Sequence, residues 1–164
     1  MRSNQNTPIT APEAFDKAVR YCCAEERCRS QIIEKFKQWN VPQEMRNGIL
    51  TGLENSEFLN ENRYAELFIR SKVRQNNWGR HKITYALKTA GLNSDSIQHG
   101  FSLLDEQTYL DALQNVIRKA QKLISENNPA LKQKKIIQHA LSKGFEHDLI
   151  LHILREINNN NTDE

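Results

Sequence analysis

Three stretches of this chain can be laid over one another without a gap, and that recurrence limits its fold more than any other feature. They begin at Gln31, Lys82 and Lys135, so successive starts lie 51 and 53 residues apart. In this frame Ile32, Ile83 and Ile136 share one column, and Val41, Leu92 and Phe145 a second. Leu50, Phe101 and Leu154 form a third column, and Leu53, Leu104 and Ile157 a fourth. A period of this size marks one supersecondary unit that is copied and stacked, each copy burying a face that its neighbour completes. The long runs alternate at helical rather than strand spacing, and 4 prolines and 6 glycines are few for 164 residues. The expected fold is all-α, with three tandem three-helix repeats and about nine helices in an elongated, curved right-handed stack. Such a stack offers an extended surface rather than a closed pocket, which points towards binding something long.

The expected boundaries follow from the apolar runs. Residues 1–10 read as a disordered Asn/Gln/Thr-rich tail, 11–55 as the first repeat, 56–105 as the second, 106–157 as the third, and 158–164 as a polar tail. Thr10, Pro12 and Glu13 have the layout of a capping box with proline in the first turn, opening a helix expected to reach about Arg27. Ser30 is the expected cap of the second helix, Pro42 opens the third, and Asn60 and Asn93 (or Ser94) cap helices of the second repeat. The first helix of the third repeat is expected from about Glu106 to Ser125, with Leu123 on its inner face. Gly91 and Gly144 stand where a left-handed residue ends a helix, and the same slot in the first repeat holds Asn40, the next best residue for that conformation.

Net charge is only +3, so distribution carries the argument. Between Arg63 and Lys88 lie Arg63, Arg70, Lys72, Arg74, Arg80, Lys82 and Lys88, against the single acid Glu66. Lys132, Lys134 and Lys135 follow in the third repeat with no acid between them. Arg63, Arg70 and Arg74 are spaced by seven and four, which places them on one helix face. Clustered cations on an elongated scaffold are the footprint of a polyanion or of an acidic protein surface. These ten residues form the candidate binding face, with Trp78 as a candidate for base stacking.

No catalytic pattern accompanies it. There is no phosphate-binding glycine loop, and the five histidines are scattered without partners. Cys22, Cys23 and Cys28 are expected as free thiols on one helical stretch, with no histidine close enough to complete a metal site. Neither a cofactor nor a metal is expected, and the chain does not read as an enzyme. No apolar run approaches the roughly 20 residues a membrane helix needs, and residues 1–10 lack a signal-peptide pattern. A cytoplasmic monomer is therefore expected, with no clear dimer seam.

The segment Leu59-Asn-Glu-Asn-Arg-Tyr-Ala-Glu-Leu-Phe-Ile-Arg70, then Trp78-Gly79-Arg-His-Lys-Ile83 and Leu87-Lys-Thr-Ala-Gly-Leu92, resembles the regulatory protein RecX family. Arg63, Tyr64, Ala65, Phe68, Arg70, Trp78, Gly79, Ile83, Leu87, Gly91 and Leu92 carry the match, and Arg29-Ser30 with Ile33 and Phe36, and Lys143-Gly-Phe145, extend it more loosely. The likeness spans roughly Ala14 to Ile157. It departs from the family pattern at Asn60-Glu61-Asn62, at Asn40 and at the Cys22-Cys23 pair. The resemblance implies a modulator of the RecA recombinase in DNA repair, recombination and the SOS response. Such a protein binds RecA and RecA-coated single-stranded DNA, suppresses strand exchange, ATP hydrolysis and LexA cleavage, and contacts DNA directly. A helical DNA-binding protein acting without RecA, and a helical-repeat adaptor for another protein, are the alternatives.

Overall fold

A computed structural model describes residues 9–160. The expected N-terminal tail therefore lies outside the described residues except for Ile9 and Thr10, as do residues 161–164 of the C-terminal tail. Among the described residues there are nine helices and no strand. The first triplet is α1 (Ala11–Ala24), α2 (Arg29–Gln38) and α3 (Gln43–Asn55). The second is α4 (Glu61–Asn76), α5 (Arg80–Thr89) and α6 (Ser94–Ser102). The third is α7 (Glu106–Leu123), α8 (Pro129–Ser142) and α9 (His147–Asn160).

The helix ends are set locally. Thr10 accepts from the Glu13 amide while the Glu13 carboxylate takes the Thr10 amide at 2.9 Å. The Thr10 amide, and then the Thr10 hydroxyl donating at 2.7 Å, hold the Glu13 carboxyl below its usual range, and the box satisfies amides that a helix start leaves free. Asn60, Asn93, Asp105 and Asn128 each cap a helix through a side-chain oxygen. Asn40, Gly91 and Gly144 all adopt positive φ, at 55°, 89° and 91°. At each, the following amide (Val41, Leu92, Phe145) reaches back to a carbonyl five residues earlier (Phe36, Leu87, Ala140), the hydrogen bonding of a Schellman stop.

Several local expectations shift. The first helix ends at Ala24 rather than near Arg27, which puts Cys28 outside it as the residue that opens α2, in place of Ser30. Leu123 is 82% exposed, because α7 ends there and Ile124 turns away into an extended conformation. The C-terminal helix continues to Asn160, through residues expected in the polar tail.

Two separate apolar cores result. Ala14, Ala18, Ile32, Phe36, Leu50 and Leu53 are among those that close the first, within the first triplet. The second joins both other triplets and includes Ile69, Ile83, Leu87, Leu113, Ile136 and Phe145. The first two repeat columns are fully buried, whereas Phe101, Leu104 and Ile157 of the third and fourth are only partly buried. Helix α6 lies close on α4 because Gly100 has no side chain: a Cβ there would stand 3.1 Å from the Ala65 carbonyl carbon and 2.7 Å from Ile69.

The second and third repeats meet backbone to backbone. The Gly79 amide donates to the Lys143 carbonyl at 2.8 Å and the His81 amide to the Gly144 carbonyl at 3.0 Å. The carbonyls of the stop that follows α8 thus satisfy the first amides of α5, which that helix alone leaves unpaired. A Cβ on Gly79 would fall 2.2 Å from the Gly144 carbonyl carbon, so only glycine admits the approach. Cys28 holds the corresponding place at the start of α2, but its amide is taken by its own Gln31 side chain at 3.0 Å. Gly91, the counterpart of Gly144, has nothing within 4 Å of where a Cβ would stand. The backbone joint is closed between repeats two and three and open between one and two.

Candidate nucleic-acid interface

The ten expected cations divide sharply once their neighbours are known. Arg63 reaches back to the first repeat through its Nε, which donates to Glu26 at 2.6 Å, and its Nη2 donates to the Glu57 carbonyl at 2.7 Å. Arg70 pairs with Glu66 one turn earlier at 2.5 Å. Arg80 pairs with Glu146 at 3.1 Å and lies over the Tyr109 ring. Lys135 pairs with Glu126 at 2.7 Å, and that contact is the first cause holding the Glu126 carboxyl below its usual range. The cluster that reads as unneutralised along the chain is therefore partly compensated by acids from other segments.

Arg80 belongs to a joint rather than to a free surface. Its amide donates to the Tyr109 hydroxyl at 2.9 Å, and that hydroxyl donates to Glu146 at 2.6 Å. Burial first, then the bond to Glu146, pushes the tyrosine pKa up, so the hydroxyl keeps the proton it donates. The same carboxylate receives Arg80 through its other oxygen. One acid from the third repeat thus holds two groups that lock α5 in place.

Trp78 is half-buried against the second core, and the ammonium groups of Lys72 and Lys82 sit over its ring at 5.1 and 4.7 Å. A ring so occupied is a packing and cation–π residue, which leaves little of it to a ligand. Arg74 is exposed, lines a small cleft with Asp111 and has no ion-pair partner among the described residues. Lys88, Lys132 and Lys134 have no ion-pair partner among the described residues.

The candidate cations without an ion pair among the described residues thus lie on α4 (Lys72 and Arg74), α5 and α8, and only the last two helices are free of acids. Neither α5 nor α8 contains an Asp or Glu, and the joint described above runs from the end of α8 to the start of α5. Lys82 and Lys88 lie on one, and Lys132 and Lys134 on the other. Between Lys82 and Lys88 stands Tyr85, 75% exposed and absent from the candidates drawn from sequence. Its signal was present in the phase of α5: Ile83 and Leu87 point inward, which turns position 85 outward. Among the described residues no group of three or more His, Cys, Asp or Glu side chains is placed to hold a metal ion. No helix among them is long and apolar enough to cross a membrane.

Fold and surface together define an all-α helical-repeat protein whose second and third repeats carry exposed, acid-free basic helices. Family models named for the second and third three-helix domains of RecX match residues 60–99 and 107–154, together more than half of the chain. The chain belongs to the RecX family of regulatory proteins. It is 29% identical to the regulatory protein RecX of Clostridium perfringens over 98% of its own length and 67% of that relative's. Against the RecX of Enterococcus faecalis it is 27% identical over 81% of its own length and spans only half of the relative. The fold agrees with two crystal structures. RecX from Lactobacillus salivarius matches with a TM-score of 0.80 at 22% identity, over 90% of this chain and 96% of that one. Another regulatory protein RecX matches with a TM-score of 0.82 at 19% identity, over 88% and 73% of the two chains.

Proposed function

We propose that this chain modulates the RecA recombinase, binding RecA and its filament on single-stranded DNA and suppressing strand exchange, ATP hydrolysis and LexA cleavage. The observation that carries this reading is membership of the RecX family across both its second and third three-helix domains. The unpaired cations of α5 and α8, of which Lys88 and Lys134 are exposed, support it, since a RecA–DNA filament is a long polyanion and a basic, extended surface is attracted along it. In this reading the protein acts as a cytoplasmic monomer, by occupying its partner rather than by catalysis.

The test is RecA ATPase activity on single-stranded DNA with increasing amounts of the chain, beside a variant carrying Lys88→Glu, Lys132→Glu and Lys134→Glu. All three residues lack an ion-pair partner among the described residues, so their reversal leaves the fold intact. Inhibition by the native chain, weakened at least severalfold in the variant, is the expected result. No inhibition by the native chain sinks the reading. If it binds DNA while leaving RecA untouched, the function is that of a DNA-binding protein acting alone.

A further inference from the structure

We propose that α5 holds single-stranded DNA directly, with the Tyr85 ring as the platform on which a base stacks and Lys88 and His81 facing the phosphates on either side. The proposal deepens the functional reading above and rests on it for the choice of ligand. Tyr85 is the one aromatic among the strongly exposed large apolar side chains of the described residues, and no aromatic ring or cation covers it. Trp78 differs in both respects, being half-buried and covered by two lysines.

The surroundings of Tyr85 match a strand of stacked bases on a charged backbone. His81 stands four residues before it and Lys88 three after, which places both beside the ring on the outer surface of α5, while the Lys82 ammonium lies over Trp78. The helix carries no acid that would repel phosphate. The opposite face is anchored by Ile83 and Leu87, both at 0% exposure, and the start of the helix is clamped to α8 through Gly79 and His81. The platform is thus rigid, so binding orders little of the protein. A tyrosine face accepts a base only where that base is not already stacked on its neighbours within a duplex. Aromatic platforms flanked by cations accordingly favour single strands and tolerate any sequence.

The experiment measures binding of the full chain, without RecA, to a fluorescent oligothymidine and to a duplex of the same length. Single-strand binding should exceed duplex binding. Tyr85→Ala should lose about 5- to 150-fold in single-strand affinity, the range a stacked base contributes, while Tyr85→Phe stays close to native. Because stacking is not ionic, Tyr85→Ala should keep the native salt dependence. Lys88→Ala should lower the log–log slope by roughly 0.7 for the phosphate it releases. Emission from Tyr85→Trp should be quenched by the single strand. Native affinity in Tyr85→Ala, equal loss in Tyr85→Phe, or equal binding of both DNA forms would overturn the proposal. Tyr85-dependent binding by a chain that fails to inhibit RecA would sink the functional reading and leave this one standing. Inhibition of RecA by a chain whose single-strand binding does not depend on Tyr85 would do the reverse.

Discussion

Cys22 and Cys23 are neighbours in the chain and opposites in environment. Cys22 is buried and Cys23 exposed, so α1 turns one thiol into the first core and the other to solvent. Burial, then the nearby Cys23 and Glu26, pushes the Cys22 thiol up to about 11. Only the thiolate attacks an alkylating reagent. At pH 8 Cys23 should therefore label rapidly, while Cys22 and the buried Cys28 stay protected until the protein is denatured. Mass spectrometry of the labelled peptides checks this, and equal labelling of Cys22 and Cys23 would contradict the placement of α1. A similar divergence separates Tyr64 and Tyr109, each the fourth residue of its helix. Tyr109 closes a joint through Glu146 and the Arg80 amide, whereas Tyr64 lies against Cys28. In both, burial raises the pKa first.

At the scale of single elements, three glycines test three kinds of backbone. Gly48 lies on the exposed face of α3 with nothing within 4 Å of a Cβ, so Gly48→Ala should stabilise the protein by about 0.5–1 kcal/mol. Gly91 has the same open space but a φ of +89°, so Gly91→Ala should cost about 1–2 kcal/mol in strain alone. Gly79→Ala should cost about 3 kcal/mol or more, because the new methyl meets backbone that cannot move aside without parting α5 from α8. Urea denaturation of the three variants gives the order, and a harmless Gly79→Ala would show that the joint is loose. These elements also show how far the chain could be read in advance. Helices, caps and stops depend on residues within a few positions, so Asn60, Asn93, Gly91 and the left-handed Asn40 were legible. The ion pairs were not: Arg63 finds Glu26 across 37 residues and Arg80 finds Glu146 across 66. Counting charges along the chain left those acids out and made Arg63 and Arg80 look free. Tyr85 needed only the inward phase of Ile83 and Leu87, but a lone outward tyrosine becomes informative only when its ring is found uncovered.

Across the whole molecule the two cores divide the chain into a first repeat and a block of two, with Cys28 of the first repeat built into the second core. Glu26 with Arg63, and Cys28 with Tyr64, tie the parts through side chains. A cleft of about 410 Å³ lies at that boundary, lined in part by Glu25, Glu26, Tyr64 and Phe68. The paired amides at the closed joint turn this division into something that deuterium can read. First-turn amides of a helix ordinarily exchange quickly, having no partner inside the helix. Those of Gly79 and His81 are held by carbonyls of another repeat, so they exchange only when α5 and α8 part, and their protection measures the free energy of that opening. The Cys28 amide, held by a side chain of its own helix, reports nothing beyond local fraying. Residue-resolved exchange should therefore find Gly79 and His81 nearly as slow as the core amides of α7, with Cys28 much faster. Fast exchange at all three would mean that the second and third repeats come apart as readily as the first and second.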